Sequence, residues 1–414
     1  MSIAGTLRLL FGCVLPLLAA LAVGVLDGRA AAEERITFGA AISTTGKTAK
    51  EGEYTRDGYQ FAIDKLNEMG GVRVGGRAYK LALKYYDDES RSERTAQLTE
   101  KLINEDKVAF ILGPYGSAPT STAAPICERY RVPMIEANGA AESIFSKGYK
   151  FTFAVLTPAK QYLRGIVDFV LAHDRGAKTV AILGENEPFS KEVAAGAAEY
   201  AKEKGLSVVY QQLYPSSAQD VSALLTTVKS FRPDVVLGAG HLQDSLLIVK
   251  QAKDLGLRPK AMGFSVGPSS PEFRESLKRD ADYVLGATQW TPALRYQGDD
   301  PWRTPKAFAD AFLAKNPSYS SVPYQVAESA AAIVAFQHAI EKAGTLDPVK
   351  VRDAIASLDI MTFFGPIKFD GRGVNVTKPM AVEQLQPDGG KYTVFPQAVA
   401  ERDGIYPMPP APAP

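Results

Sequence analysis

The segment of residues 116–120, with sequence GSAPT, offers the clearest chemistry in this chain. It follows the apolar run 108–113 and precedes a helical pattern. Pro119 fits the first turn of a helix, where its missing N–H group has no intrahelical partner to lose. Free N–H groups and the positive end of the helix dipole suit a carboxylate there, and Ser117 adds a hydroxyl. The segment therefore predicts an anion site, and the alternative is that Ser117 is a plain N-cap.

Two later turns could place side chains beside this one. Asn138, Gly139 and Ala140 follow the apolar run 133–137. Parallel strands end at the same edge of a sheet, so this turn should adjoin Ser117. His241 similarly follows a later run. A lone His at a strand end is compatible with either a structural or a ligand-binding role.

A serine-hydrolase pattern also occurs. Residues 263–267 read Gly-Phe-Ser-Val-Gly and match G-x-S-x-G, with Ser265 as the nucleophile. The following segment, 268–271, contains two prolines and interrupts the helix that should begin at once. His338 is the only downstream histidine, and it lies in the apolar helical pattern 330–343. We therefore expect a protein that is not an enzyme, and keep the hydrolase as a remote alternative.

Cofactor and metal patterns are weak in this sequence. Gly238 and Gly240 lack the third glycine of a dinucleotide loop and the lysine of a P-loop. His173, His241 and His338 are scattered without the spacing of metal ligands. We expect neither a cofactor nor a bound metal.

Short apolar runs alternate with amphipathic ones along the chain, which predicts an α/β fold with doubly wound parallel sheets. The predicted strands are 36–43, 81–87, 108–113, 133–137, 179–184, 208–214, 235–239, 261–265 and 284–289. The predicted helices include 55–69, 92–105, 161–174, 191–204, 220–231 and 243–255. The length exceeds one ordinary domain, so we expect two lobes with the binding cleft between their strand ends.

The amino terminus predicts export. An apolar run, 9–26, follows Arg8 and leads into Ala30-Ala31-Ala32, which is typical of a signal peptide, 1–32. The alternative is an uncleaved anchor helix. Removing the leader takes two Arg and one Asp from the totals of 47 Lys+Arg and 46 Asp+Glu, which leaves 45 of each. A neutral chain without a basic stripe is a poor candidate for binding nucleic acid. Residues 406–414 are rich in Pro and Ala and are predicted to be disordered.

Several short motifs, in order and spacing, resemble the branched-chain amino-acid binding proteins of ABC importers, from about residue 36 to 399. They are 40–46, 51–52, 57–58, 86–89, 111–117, 133–140 and 234–240. The resemblance implies a type I periplasmic-binding-protein fold: two doubly wound lobes joined by three crossing segments, with the ligand cleft between them. The implied lobes are 33–157 plus 291–373 and 158–290 plus 374–405, with crossings near 156–157, 290–292 and 371–374.

The resemblance also implies a set of ligand-binding residues. They are Ser117, Asn138, Ala140, Phe189, His241 and Ser265. Tyr115 and Glu51 are also placed to line the cleft, and the alternatives for them are a packed aromatic and a solvated acid. Ala140 stands where a threonine is usual. Ser265 stands where amino-acid binders of this family carry an acid that pairs with the ligand's ammonium group. The ligand is therefore expected to be a small carboxylic acid that need not carry an ammonium group, unless Glu51 replaces the missing acid.

The resemblance implies a periplasmic solute-binding protein that captures a small carboxylate by lobe closure. The carboxylate is an amino acid or an aromatic or branched organic acid. The expected partner is a membrane ABC permease, and we expect a monomer. A ligand-sensing receptor subunit is the alternative within the same fold.

We predict that export removes residues 1–32 and leaves Glu33 at the amino terminus, because the small residues before it fit the signal-peptidase site. Intact-mass analysis of the periplasmic fraction measures this directly. A full-length, membrane-bound product would contradict the prediction.

Overall fold

The computed structural model describes residues 34–409 of the 414-residue chain. The predicted signal peptide and residues 410–414 lie outside the described residues. Within the described part, no helix combines the length and the apolar character needed to cross a bilayer.

The described residues form strands and helices in regular alternation. The strands are β1 (Arg35–Ile42), β2 (Val72–Val74), β3 (Arg77–Asp87), β4 (Phe110–Leu112), β5 (Met134–Glu136), β6 (Thr152–Ala154), β7 (Thr179–Glu185), β8 (Ser207–Tyr214), β9 (Val235–Ala239), β10 (Ala261–Phe264), β11 (Leu285–Thr288), β12 (Asp359–Thr362), β13 (Gly365–Lys368), β14 (Ala381–Leu385) and β15 (Lys391–Phe395). The helices are α1 (Ala49–Glu68), α2 (Ser92–Asn104), α3 (Ser117–Tyr130), α4 (Glu142–Phe145), α5 (Arg164–His173), α6 (Pro188–Glu203), α7 (Ser222–Phe231), α8 (Leu242–Asp254), α9 (Pro271–Leu277), α10 (Pro305–Lys315), α11 (Tyr324–Ala343) and α12 (Pro348–Ala356). Short 3₁₀ turns occupy Ala159–Gln161, Lys278–Ala281 and Gln397–Val399.

The strands make two open sheets and a small hairpin of β12 and β13. The six-stranded sheet has the order β2-β3-β1-β4-β5-β6, and the seven-stranded sheet the order β15-β14-β11-β10-β9-β7-β8. Pairing is parallel throughout the centre of both sheets, and β2, β14 and β15, at one side of their sheets, pair antiparallel. This topology confirms the predicted fold class of two doubly wound parallel sheets.

Each sheet has one place where the direction of winding reverses. It lies between β1 and β4 in the six-stranded sheet and between β7 and β9 in the seven-stranded sheet. Open α/β sheets bind ligands outside the carboxyl ends of the strands at such points. The loops after β1, β4, β7 and β9 are therefore the ones positioned for binding.

Apolar side chains cover both faces of each sheet. The six-stranded sheet packs on α1–α4 and α10–α12, and we call this set of elements the six-stranded half. The seven-stranded sheet packs on α5–α9, and we call this set the seven-stranded half. One apolar cluster runs without interruption from the first half, through Leu156, to Val180 in the second. The residue boundaries of the two predicted lobes stay a prediction.

The close packing of α1 on α11 depends on Gly58. A Cβ atom there would lie 2.3 Å from the carbonyl oxygen of Val326, well inside van der Waals contact. Helix α11 is buried along almost its whole length and is apolar on nearly every side, as expected of a helix at the centre of a half. The pair α1–α11 thus holds the six-stranded half together.

The chain crosses between the halves in three segments, which we call passages and which run near Thr157, Gln289 and Lys378. Hydrogen bonds join these three passages to one another. The Gln289 side chain accepts the N–H of Thr157 through Oε1 (3.1 Å) and donates to the Thr157 carbonyl through Nε2 (3.1 Å). The Thr157 hydroxyl donates to the carbonyl of Lys378 (2.8 Å). The third passage starts after Asn375, since Val374 still pairs with Ala154 of β6. It therefore lies a few residues beyond the predicted 371–374.

The start of the predicted disordered tail is ordered. The Tyr406 hydroxyl donates to Asp174 (3.1 Å), and the N–H of Met408 donates to the carbonyl of Lys260 (2.7 Å). The disorder predicted for 406–414 is therefore wrong for these residues, because backbone and side-chain bonds to the seven-stranded half compensate for the low apolar content.

Two helices that border the cleft begin earlier than predicted. Helix α1 starts at Ala49 rather than near residue 55, which brings Glu51 into its first turn. The pattern concealed this turn because Gly52 interrupts it. Yet a Cβ at Gly52 would overlap the carbonyl of Ser43, so only glycine fits. Helix α3 starts at Ser117, two residues before the predicted Pro119.

We predict that Gly58→Ala lowers the free energy of unfolding by about 1–3 kcal/mol, because the new methyl group must push α1 away from α11. Alanine's higher helix propensity, about 1 kcal/mol, offsets only part of this cost. Urea titration of the mature protein measures the change. Gly371→Ala is the control, since a Cβ there meets nothing within 4 Å. Equal stability of the two variants would contradict the proposed close packing.

Candidate ligand-binding cleft

The carboxyl ends of the two sheets face a small shared cavity. The residues that line it come from both halves: Tyr115, Asn138, Tyr324 and Glu328 from the six-stranded half, and Tyr162, Phe189, His241 and Val266 from the seven-stranded half. Four of the eight predicted site residues are among them, namely Tyr115, Asn138, Phe189 and His241. The other four lie beside the cavity without lining it.

Sequence reasoning missed the other half of the lining. Glu328 had a usable signal, since it is the only acid in the first 17 residues of α11, a largely apolar pattern. Tyr162 follows the first passage and Tyr324 begins α11 after a proline. Val266 carries no polar signal. Their place in the cavity depends on the passages, which local patterns do not predict.

An aromatic group from the seven-stranded half meets a tyrosine from the other half. The Tyr115 hydroxyl and His241 Nδ1 are 2.9 Å apart and share a buried hydrogen bond. The ring centroid of Phe189 lies 5.3 Å from that of His241 and 5.0 Å from that of Tyr162. The cavity therefore has flat apolar walls with a polar bond across the cleft, an arrangement that suits an apolar or aromatic group.

Glu51 projects from the first turn of α1 toward the seven-stranded half. Its Oε1 accepts the N–H of Leu242, the first residue of α8, at 3.3 Å. Its Oε2 is buried and has no hydrogen-bond partner among the described residues. Burial raises the pKa of the Glu51 carboxyl, against the opposing effect of nearby His241.

Ser117 is buried at the start of α3, and the N-cap is Gly116, so the plain N-cap alternative for Ser117 is wrong. Gly116 has φ 94°, a conformation that L side chains rarely adopt. The Ser117 hydroxyl accepts the N–H of Ala141 at 3.0 Å, which links the first turn to the second. Ala140 is buried beside it, and its carbonyl accepts the N–H of Ala159.

Ser265 has a backbone role. Its hydroxyl accepts the N–H of Gly240 (3.0 Å) and donates to the Gly240 carbonyl (2.9 Å). No imidazole is bonded to it among the described residues, and α9 begins only at Pro271. The geometry needed for a serine nucleophile is therefore not assembled around Ser265, and its hydroxyl joins the ends of β9 and β10 instead.

Charged groups bind the halves together around the cavity. The Lys47 ammonium lies 2.7 Å from Glu185 and 3.4 Å from Asp244, both of the seven-stranded half. Lys50 lies 3.1 Å from Glu272, which also accepts the Tyr54 hydroxyl. Opposite charges at these distances attract across the cleft, so they favour the closed arrangement.

One group of metal-capable side chains also occurs here. Ligand atoms of Glu185, Glu187 and His241 lie within 4.8 Å of one another. Each already has a protein partner: Lys47 for Glu185, the amide of Phe189 for Glu187, and Tyr115 for His241. These contacts make the group part of the closed interface.

A buried carboxyl group holds the turn that carries Asn138. Glu136 Oε2 accepts the N–H groups of Asn138 (3.0 Å) and Gly139 (2.5 Å). The Asn138 amide in turn donates to the Ser329 hydroxyl at 3.2 Å. Burial raises the pKa of Glu136 to about 8, although these N–H donors oppose the rise. Burial also raises the pKa of Glu328 and lowers that of Lys378 to about 7.

Comparison with known proteins places this architecture in context. A family model described as periplasmic binding protein matches residues 35–391. The leucine-, isoleucine-, valine-, threonine-, and alanine-binding protein of Pseudomonas aeruginosa is 29% identical over 358 residues, covering 86% of this chain and 91% of that protein. The resemblance predicted from the sequence motifs is thereby confirmed.

Two solved structures share the fold. The branched-chain amino acid transporter substrate binding protein LivJ from Streptococcus pneumoniae, in complex with isoleucine, matches with a TM-score of 0.76 and 21% identity, covering 88% of this chain and 100% of that one. An ABC transporter solute binding protein from R. palustris, in complex with benzoate, matches with a TM-score of 0.73 and 19% identity, covering 90% and 99%.

We predict that the free energy of unfolding of Glu136→Gln, relative to that of the wild type, increases as the pH rises. The folded-state pKa of Glu136, about 8, lies above its ordinary value of 4.5, so the protonated form is favoured by folding. Protonated Glu136 makes its full contribution to the free energy of unfolding below pH 4.5. This contribution falls by about 1.4 kcal/mol per pH unit as the pH rises toward 8. Gln keeps the acceptor and lacks this titration.

Urea titrations of both proteins at pH 5, 6.5 and 8 measure the difference in unfolding free energy. The control is Glu105→Gln, at an exposed position. A difference between Glu136→Gln and the wild type that stays constant across this range would show that Glu136 is ionised in the folded protein.

Proposed function

Since this chain belongs to the periplasmic binding protein family, we propose that it is the periplasmic solute-binding protein of an ABC importer. It acts as a monomer that captures a small carboxylate by closure of its two lobes and delivers it to the membrane permease. The solved relatives described above are transporter binding proteins with small carboxylates bound, isoleucine in one and benzoate in the other.

One observation carries the proposal: one small cavity at the strand ends is lined by four residues from each half. A solute held there contacts both halves at once, so it binds the closed arrangement better than an open one. Such a difference in affinity is what shifts a protein toward its closed state. The bond between Tyr115 and His241 and the Lys47 ion pairs add to closure, because they also require the halves to meet.

The carboxylate end of the solute is assigned to the first turn of α3. This helix has 14 residues and presents Ser117 at its start, close to the turn after β5. Ser117 Oγ already accepts one N–H, which leaves its own hydrogen free to donate to an anion. Tyr115 and Phe189 offer apolar surface for the remainder of the solute.

We predict that Ser117→Ala weakens carboxylate binding by about ten- to hundredfold, since a hydrogen bond to a charged group contributes about 1.5–3 kcal/mol. A thermal-shift screen of the mature protein with isoleucine, leucine and benzoate identifies a bound acid, because ligands of the native state raise the melting temperature. Calorimetry with that acid then gives the dissociation constants of wild type and variant.

Ser222→Ala is the matched control. Ser222 is also the first residue of a helix, α7, and its carbonyl accepts the hydroxyl of Thr226, as that of Ser117 accepts Ser121. Tyr115, two residues before Ser117, lines the cavity, whereas no residue within two positions of Ser222 does. An unchanged dissociation constant in Ser117→Ala would show that the carboxylate binds elsewhere in the cleft.

A further inference from the structure

The unpaired oxygen of Glu51 is the strongest unexplained feature of the cleft. Only 1% of the surface of Glu51 is exposed, and its Oε1 is engaged by the N–H of Leu242. Its Oε2 has no donor among the described residues. Leaving a carboxylate oxygen buried without a donor is costly, so such an atom in a binding cleft indicates a partner that arrives with the solute.

The nearest cationic side chains of the protein are already committed. Lys47 pairs with Glu185 and Asp244 across the cleft, and Lys50 pairs with acids at 53 and 272. His241 is bonded through Nδ1 to Tyr115, and its Nε2 lies 3.8 Å from Glu187. The described residues around Glu51 therefore have no spare cation to offer it.

Near the cavity, the buried side-chain atoms that have no hydrogen-bond partner among the described residues are all acceptor-type oxygens. Among the eight lining residues and Glu51, the unpartnered buried side-chain atoms are all oxygens, and two belong to carboxyl groups, those of Glu51 and Glu328. Ser265, which stands where the resembled amino-acid binders carry an acid, is occupied by its two bonds to Gly240. The cleft is thus short of hydrogen-bond donors.

From this geometry we propose that Glu51 receives a protonated amine of the solute, so that the protein selects acids that carry an ammonium group over their deaminated analogues. The inference rests on the proposed function and adds the residue that determines specificity. It decides between the two alternatives that the sequence left open, because Glu51 supplies from α1 the acid that is missing at position 265. An ammonium N–H directed at Oε2 forms a charge-assisted bond inside a buried site.

Calorimetry on the mature protein tests the proposal with matched pairs of solutes. The amino acids are isoleucine, leucine, valine, threonine, alanine and phenylalanine, and each is compared with its 2-oxo acid; benzoate is included as an acid without an amine. The wild type is expected to bind at least one amino acid and to bind its 2-oxo acid at least thirtyfold more weakly. Glu51→Gln is expected to bind that amino acid about a hundredfold more weakly and to discriminate less than threefold.

Two controls separate specificity from stability. Gln at position 51 keeps an acceptor for the N–H of Leu242, and an unchanged melting temperature shows that the fold is intact. Glu53→Gln neutralises an acid two residues further along the same helix, where the side chain is 40% exposed and pairs with Lys50. This variant is expected to bind within twofold of the wild type.

Three results would overturn the inference in distinguishable ways. Equal or tighter binding of the 2-oxo acids or benzoate would refute amine selection and leave the proposed function intact. Unchanged amino-acid binding by Glu51→Gln would refute the role of Glu51 alone. Failure of the wild type to bind any of these acids would overturn the proposed function, and the inference with it.

Discussion

The arrangement of the cleft depends on the hydrogen bonds made by the buried amide of Gln289. This side chain satisfies both backbone groups of Thr157, whose hydroxyl binds the third passage at Lys378. The Lys378 amino group donates back to the Gln289 carbonyl. A buried amide is stable only when its donors and acceptor are paired, so the three passages form one connected unit. The strand ends of the two sheets face each other because these passages hold them.

Buried acids are concentrated around this cleft. Glu51, Glu136 and Glu328 are each almost fully buried, whereas Lys378 is the only buried lysine of the described part. Removing carboxylates from water is costly unless they are paired or protonated, and a chain optimised for stability alone would place apolar residues there. Perturbed acids in a cleft are typical of binding sites. The three differ in role, since Glu136 holds a turn, whereas Glu51 faces the other half with an unpaired oxygen.

Closure and binding use the same contacts. The Tyr115–His241 bond, the Lys47 ion pairs and the Glu51–Leu242 bond all join residues of opposite halves. None of them can form when the halves are apart, so under the proposed function each adds to the closed state that a solute would stabilise. A solute that supplied the missing donor to Glu51 would add one more such contact. Under the proposed function, this links recognition in a small cavity to the closure of the two lobes.

Local patterns in the sequence were sufficient for the parallel strands, most helices and the turns that end in Ser117, Asn138 and His241. Strand burial and helix periodicity are properties of short segments, and parallel strands bring their carboxyl ends to one edge. The family motifs added the two-lobed fold, which the topology confirms. The early start of α1 was missed, because the glycine at 52 that breaks its pattern is required by contact with a distant carbonyl.

Only the tertiary structure decided which of these residues meet. Glu51 bonds to a backbone group 191 positions away, and Glu328 reaches the cavity from a helix that the sequence marks as core. Ser265 was expected in the binding site, yet its hydroxyl is used by Gly240. Such pairings depend on how the three passages set one sheet against the other. Hydrophobic periodicity is a local property and carries no information about how the two sheets are placed relative to each other. The sequence therefore determined which residues lie at the carboxyl edge of each sheet, and the packing of the two halves determined which of them form the site.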